Sequence, residues 1–266
     1  MTDVSQQSFE HIVQELTGCG SSRTWSILVT IFGDLAQSPN DEISGPLLST
    51  LTKMIGIKPQ AMRVALHRLR RDGWIMTEKS GRTSKYRLSE FGLSQSKIAS
   101  PHIYGRTVKV PERWHILVAT PEMVVDEKNL VIHGYRKLIS GVYIGSGATL
   151  QDADDFLVIE GKLASLPKWL QTSIADTASI EGYSKLMRIL EVVKQVLNAG
   201  YVPTITETAV IRTLIVHGWR RIVLRQPDLS LELVSENPSA WCRETVWQLL
   251  ERLERPTIAA LEATAN

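Results

Sequence analysis

Between Pro59 and Asp72 the sequence sets long polar and cationic side chains at helical spacing, a pattern suited to gripping and reading a polyanion. Projected at about 100° per residue, Met62, Ala65, Leu66 and Leu69 converge on one face, while Gln60, Arg63, Val64, His67 and Arg71 take the opposite side. The major groove of DNA admits one helix, whose long side chains reach base edges bidentately. Arg63 and Gln60, in the N-terminal half, are the candidates for base contact, since Arg suits guanine and Gln suits adenine; Val64 can meet a thymine methyl. Arg68, Arg70 and Arg71 suit phosphates and register, and His67 fits a phosphate or structural role better than a reading one. Beyond Gly73, the cations Lys79, Arg82 and Lys85 gather around a Gly-containing tip, where they would meet backbone or minor groove. Each of these residues is also accounted for as a solvated surface cation.

The charge distribution points the same way. From Lys58 to Arg87 there are nine basic residues against two acidic ones, a local charge of +7, in a chain whose remainder carries −5. A cationic block in an otherwise acidic protein is an electrostatic footprint for phosphates, although a solvated basic face has the same composition. Catalytic chemistry finds little support. GxSxG, HExxH, GxxxxGK[ST] and GxGxxG are absent, and Gly145-Ser146-Gly147 reads as a short turn. Asp152, Asp154 and Asp155 have no histidine nearby and read as a capping or solvated loop. No catalytic residue, metal site or cofactor is expected. Around Arg212, His217, Trp219, Arg220, Arg221 and Arg225, the cations suit the phosphates of an anionic effector and Trp219 suits stacking on a planar group. A salt-bridged domain interface explains those residues as well, and from spacing it is the favoured account.

These groups need a scaffold. With 266 residues at 43% hydrophobic, the chain has material for two or three domains. Cys19 and Cys242 are the two cysteines, too few and too far apart for a disulfide framework or structural zinc, and the opening residues carry no signal-peptide pattern. No apolar run approaches a membrane span, so a cytoplasmic protein is expected. Phe9, Ile12, Val13 and Leu16 form an amphipathic stretch within an N-terminal arm, 1–21. Trp25, Leu28, Val29, Phe32 and Leu35 mark a first helix, Leu47, Leu48, Leu51 and Ile55 a second, and Pro59 to Asp72 a third. Trp74–Thr77 and Lys85–Leu88 read as strands flanking a tip at 78–84, a wing. A helical stretch from Ser89 to about Pro101 doubles as a linker, closing a winged helix-turn-helix domain at 22–100. Apolar runs at Trp114–Ala119, Gly141–Ile144 and Phe156–Ile159 suggest strands, with 121–138 helix-compatible and ending near Gly134, in an α+β unit at 101–176. Helical periodicity then dominates 177–266, a mainly helical effector and dimerisation domain.

With these motifs in order, the chain resembles the PaaX-like repressors of phenylacetate catabolism over about residues 22–253. Ala61–Trp74 with Gly81–Leu88 is similar to that family's reader helix and wing, Gly134–Ile144 to its central domain, and His217–Arg221 followed by Pro227-Asp228-Leu229 to its C-terminal motif. The stretch Ser230–Pro238 before Trp241 departs from the proline-rich turn usual there. The resemblance implies a central ferredoxin-like, Cas2-like fold and a homodimer on double-stranded palindromic operator DNA. It also implies release by an acyl-coenzyme A type effector, typically phenylacetyl-coenzyme A. Arg63 and the wing cations would then carry DNA contact, and Arg220-Arg221 the effector's phosphates. The multidomain α+β reading is therefore a transcriptional regulator. Its rivals are a protein-docking winged helix without DNA contact and an enzyme acting on coenzyme A thioesters.

Overall fold

The computed structural model describes residues 2–18, 23–81, 83–106, 113–132, 135–146, 155–165, 167, 177–224 and 238–265. Arg82, Arg225, the aspartates 152 and 154, and the stretch 226–237 lie outside them. Helices and two small antiparallel sheets make an α+β fold. Contacts divide the chain into two units, one of residues 1–105, 185–221 and 244–266, the other of 106–184 and 222–243. The C-terminal helical segments 185–221 and 244–266 thus fall in the same unit as the first 105 residues.

In the first unit, α1 (Thr2–Thr17) buries Phe9, Ile12 and Leu16 along one stripe. The N-terminal segment is therefore a helix with a covered face, as its spacing suggests. Helix α2 (Thr24–Leu35) buries Ile27, Leu28, Val29, Ile31, Phe32 and Leu35, nearly all round its axis. Helix α3 (Gly45–Met54) starts at Ser44, whose hydroxyl accepts from Leu47 N, and helix α4 (Pro59–Arg71) starts with proline in its first turn. Both end alike. Gly56 (φ 84°) and Gly73 (φ 74°) adopt the left-handed conformation, and the residue after each donates its N–H back, Ile57 to Thr52 O and Trp74 to Leu69 O, both 2.9 Å. That paired closure satisfies the last carbonyls of each helix and sets the direction in which the chain leaves it.

After α4 come β2 (Ile75–Ser80) and β3 (Thr83–Leu88), paired from Ile75↔Leu88 to Ser80↔Thr83, with β1 (Ile43–Ser44) on the other side of β3. The strands are longer and the tip shorter than the sequence suggests. Gly81 at φ 62° permits a two-residue connection, so Lys79 and Lys85 stand on the strands themselves. Helix α5 (Glu90–Tyr104) continues past the expected linker position. It approaches the chain end of α4 so closely that a Cβ on Gly92 would stand 2.3 Å from Trp74 O, and Ser89 caps it, accepting from Gly92 N. The helical stretch expected from Ser89 is thus present, capped and packed against the residues that follow α4.

In the second unit the sheet runs β5 (Arg136–Ile139), β6 (Val142–Ser146), β4 (Trp114–Val118), β7 (Leu157–Gly161), antiparallel throughout. The helix expected across 121–138 shrinks to α6 (Glu127–Ile132), and Arg136–Ile139 is a strand instead, because its alternating burial suits a half-covered sheet. Gly145 and Ser146 belong to β6 and not to a turn. The Tyr135 ring lies where a Cβ on Gly145 would stand, 2.5 Å away. Leu117, Leu130, Tyr135 and Tyr143 form the core on that face. The remaining helices among the described residues are α7 (Thr177–Asn198), α8 (Ile205–Val223), α9 (Pro238–Arg252) and α10 (Ile258–Ala265). Helix α8 opens on a reciprocal cap: Glu207 accepts from Thr204 N at 2.7 Å and Thr204 Oγ1 from Glu207 N at 3.3 Å. Among the described residues no helix is long and apolar enough to cross a membrane.

Candidate nucleic-acid interface

Helix α4 is fixed from behind. Met62, Ala65, Leu66 and Leu69 are buried against a layer to which α2, α3 and β2 contribute, so the opposite face can only turn outward. Gln60, Arg63, Val64, His67, Arg68, Arg70 and Arg71 are all exposed, Val64 by 61%. Two of these cations are already engaged. Arg68 pairs with Asp72 at 3.3 Å and lies over the Trp25 ring at 5.2 Å, and Arg71 pairs with Asp72 at 3.1 Å. Both are oriented by Asp72 and stay accessible, which suits fixing a phosphate more than scanning base edges. Gln60, Arg63, His67 and Arg70 have no side-chain partner among the described residues. Such side chains can pair with base edges without first breaking an ion pair.

The hairpin places Lys79 opposite Ser84 near its tip, exposed. Lys85 is different from the free cation the sequence suggests, because Glu42 holds its ammonium at 3.1 Å. An ion pair at that level of exposure is weak, about 0–1 kcal/mol, and a phosphate can compete for it. Arg82 lies outside the described residues.

The C-terminal candidates sit on α8. His217 is buried, with Nδ1 3.1 Å from Thr30 Oγ1. Thr30 donates its own proton to Ser26 O at 3.0 Å, so the His217 Nδ1–H is the donor to Thr30, and Nε2 carries the lone pair. Burial, with the charges of Arg220 and Arg221, lowers its pKa to about 4, so the ring is neutral. Trp219 is fully buried and its indole N–H donates to Ile103 O at 3.0 Å; the stacking role expected of it finds no open ring face. Arg220 and Arg221 are half-buried, and burial pulls the Arg220 guanidinium below its ordinary pKa.

Sequence reasoning missed Asp34. This fully buried carboxylate accepts from Arg212 Nε at 3.0 Å, Arg212 Nη2 at 3.1 Å and Tyr104 OH at 2.8 Å. Arg212 also donates to Leu250 O and Leu253 O, at 2.8 and 2.6 Å. One cluster thus ties α2 to α5, α8 and the end of α9. Arg212 is therefore an ion-pairing residue inside the first unit. A signal was present: Ile27, Ile31 and Asp34 fall at helical spacing, placing a carboxylate on an apolar stripe where only a cationic partner makes it tolerable.

The family model for PaaX-like protein matches residues 23–92, and that for the PaaX-like protein C-terminal domain matches residues 176–263. "Transcriptional repressor PaaX" of Escherichia coli (strain K12) is 24% identical over 262 residues, an alignment that spans 90% of this chain and 81% of that protein. Among solved structures, the uncharacterized protein Rv0674 from Mycobacterium tuberculosis has the same fold, with a TM-score of 0.54 at 19% identity, covering 90% of this chain and 97% of the other.

Proposed function

Because the chain belongs to the PaaX-like protein family, we propose that it is a DNA-binding transcriptional regulator, a repressor that reads its operator with α4. The observation that carries this reading is the outward face of α4, where Gln60, Arg63, Val64, His67 and Arg70 stand exposed on a helix whose other face is locked into the core. Helices α2 to α4 with the β2–β3 hairpin support a winged helix-turn-helix, in which Lys79, Lys85 and Arg82 belong to the wing. The sheet order β5-β6-β4-β7 supports a ferredoxin-like central domain, since the second strand of that domain is an edge, the third its neighbour and the first an inner strand. The proposed functional segments are 22–100 for DNA, 101–176 for the central domain and 177–266 for effector and dimer contacts. A homodimer matches the two-fold symmetry of a palindromic site.

The effector in this reading is an aryl-coenzyme A thioester of the phenylacetyl type, its phosphates met by Arg220 and Arg221. His217 and Trp219 support that stretch of α8 from beneath. Release requires that the effector prefer the low-affinity conformation, and typical couplings are about 1–3 kcal/mol. The test is a fluorescence-anisotropy titration of DNA from the gene's own promoter against a scrambled duplex, at two salt concentrations, with and without phenylacetyl-coenzyme A. Specific binding released by the thioester is expected. Specific binding without release would remove this effector and leave the regulator. Equal, weak binding of both duplexes would overturn the DNA reading in favour of a protein-docking winged helix.

A further inference from the structure

Between the end of α7, the start of α8 and the turn after α9 lies an open cavity of about 460 Å³. Its walls are largely apolar, formed by Leu197, Tyr201, Pro203, Leu253 and Pro256, and two guanidiniums, Arg252 and Arg255, complete them. That size and composition fit a small organic ligand with one polar end. The electrostatics select the sign of that end. Arg252 donates only to neutral acceptors, Asn198 Oδ1 and Leu197 O, both at 2.6 Å. Arg255 donates to neutral Gln37 Oε1 at 2.7 Å, while its ion pair with Asp34 is long, 3.6 Å, because Arg212 and Tyr104 already occupy both carboxylate oxygens. Asp34 is thus matched one to one by Arg212, and Arg255 is surplus positive charge at the cavity, held in place over the Tyr104 ring at 5.3 Å. Glu254, the one carboxylate in the lining, pairs with neither arginine.

We propose that this cavity binds a compact amphipathic carboxylate, aryl or branched-chain, whose carboxylate is gripped by Arg255 and Arg252 and whose body rests on the apolar walls. The site is separate from the Arg220-Arg221 pair: Thr208 lines the cavity, and twelve residues of helix at about 1.5 Å each separate it from Arg220. Binding here does not depend on the DNA reading, and its measurement needs no DNA. Through Arg255 and Asp34 an occupied cavity adjoins α2, against which α4 packs.

The experiment is isothermal titration of the full-length protein with benzoate and 3-methylbutanoate, with their neutral amides, and with inorganic phosphate. Saturable binding of the carboxylates is expected, with the amides weaker by about tenfold or more, because a charge-assisted contact is lost. Phosphate, lacking an apolar body, is expected to bind more weakly than either carboxylate. Arg255→Gln lowers carboxylate affinity by about tenfold or more. Val202→Trp fills the mouth from a side chain that is 81% exposed, so the fold is retained while binding is lost. No carboxylate binding up to about 10 mM, carboxylates and amides binding alike, phosphate matching the carboxylates, or unchanged affinity in Val202→Trp would each overturn the proposal.

Discussion

Replacing Arg212 by methionine tests the packing of the first unit at its most charged point. Arg212 is 4% exposed and Asp34 is fully buried, so the substitution removes a bidentate ion pair and two hydrogen bonds to carbonyls at once. The methionine stem refills most of the lost volume, so the loss is chiefly electrostatic. What stays behind is a buried carboxylate with one hydroxyl donor, Tyr104, and a long contact to Arg255. Breaking a buried pair by removing one partner costs about 3–5 kcal/mol. By contrast, Arg255→Gln removes a 3.6 Å ion pair, a hydrogen bond to Gln37 and a cation–π contact from a side chain 36% exposed, and should cost about 1 kcal/mol. Removing both charges of the tight pair, in Asp34→Leu with Arg212→Met, should recover part of that cost, the remaining deficit being the Tyr104 hydroxyl that loses Asp34 and the Leu250 and Leu253 carbonyls that lose Arg212. Urea denaturation and thermal melting followed by circular dichroism at pH 7 read all five chains, Asp34→Leu alone included, and the single Arg212→Met variant should melt roughly 6–20 °C lower. A cost for Arg212→Met below about 1 kcal/mol, or a double variant worse than either single one, would refute the claim that this pair is a matched buried unit.

Four further outcomes are expected. Arg63→Ala should weaken operator binding and relax preference at one base position by about 1–3 kcal/mol, whereas Lys79→Ala should weaken specific and random duplexes alike and lower the salt slope by about 1; competition anisotropy separates the two. Gly92→Ala should destabilise by about 1–3 kcal/mol in thermal melting, since its Cβ would press on the Trp74 carbonyl at 2.3 Å and backbone must shift. Gly145→Ala should perturb the Tyr135 environment, seen as a change in near-ultraviolet circular dichroism, because the tyrosine ring occupies the space of the new methyl. His217, with a folded pKa of about 4 below its ordinary 6.5, contributes stability that is complete above pH 6.5 and is lost as pH falls from there toward 4, by about 3 kcal/mol at most; His217→Gln should flatten that part of the stability profile, and an unchanged slope would count against a buried neutral ring.

Helices α2 to α4 are legible in the sequence because their signals are local. Pro59 at the first turn, Gly73 past the last, and apolar residues at three and four spacing require no tertiary information, and α4 has the bounds and the buried face they imply. The apolar runs of β4, β6 and β7 likewise form strands of one sheet, although β7 leaves Leu157 and Ile159 exposed. Legibility ends where a residue's conformation depends on something distant in sequence. Arg136–Ile139 is short and its helical and extended patterns compete, so the pairing with β6 decides it. The tip of the β2–β3 hairpin is shorter than its composition suggests because the pairing of Ser80 with Thr83 needs the turn geometry of Gly81, which composition alone does not specify.

For the candidate site, residue types and spacing are sufficient to place an exposed cationic face and its supporting core, since the 3.6-residue period assigns sides to a helix once the apolar stripe is known. Which cations remain free on that face was decided by tertiary structure. Asp72 and Trp25 engage Arg68, and Glu42 engages Lys85 across forty-three positions of sequence, while Arg63 keeps its freedom. The C-terminal cations obey the same rule. Arg212 and Arg220 stand on one helix and look alike in the sequence, yet one is matched to Asp34 from 178 residues away and the other to no carboxylate among the described residues. Helical periodicity acts over a few residues, but the partner of a buried charge is chosen by the fold as a whole, because burying an ion is tolerable only where an opposite charge has been brought to meet it.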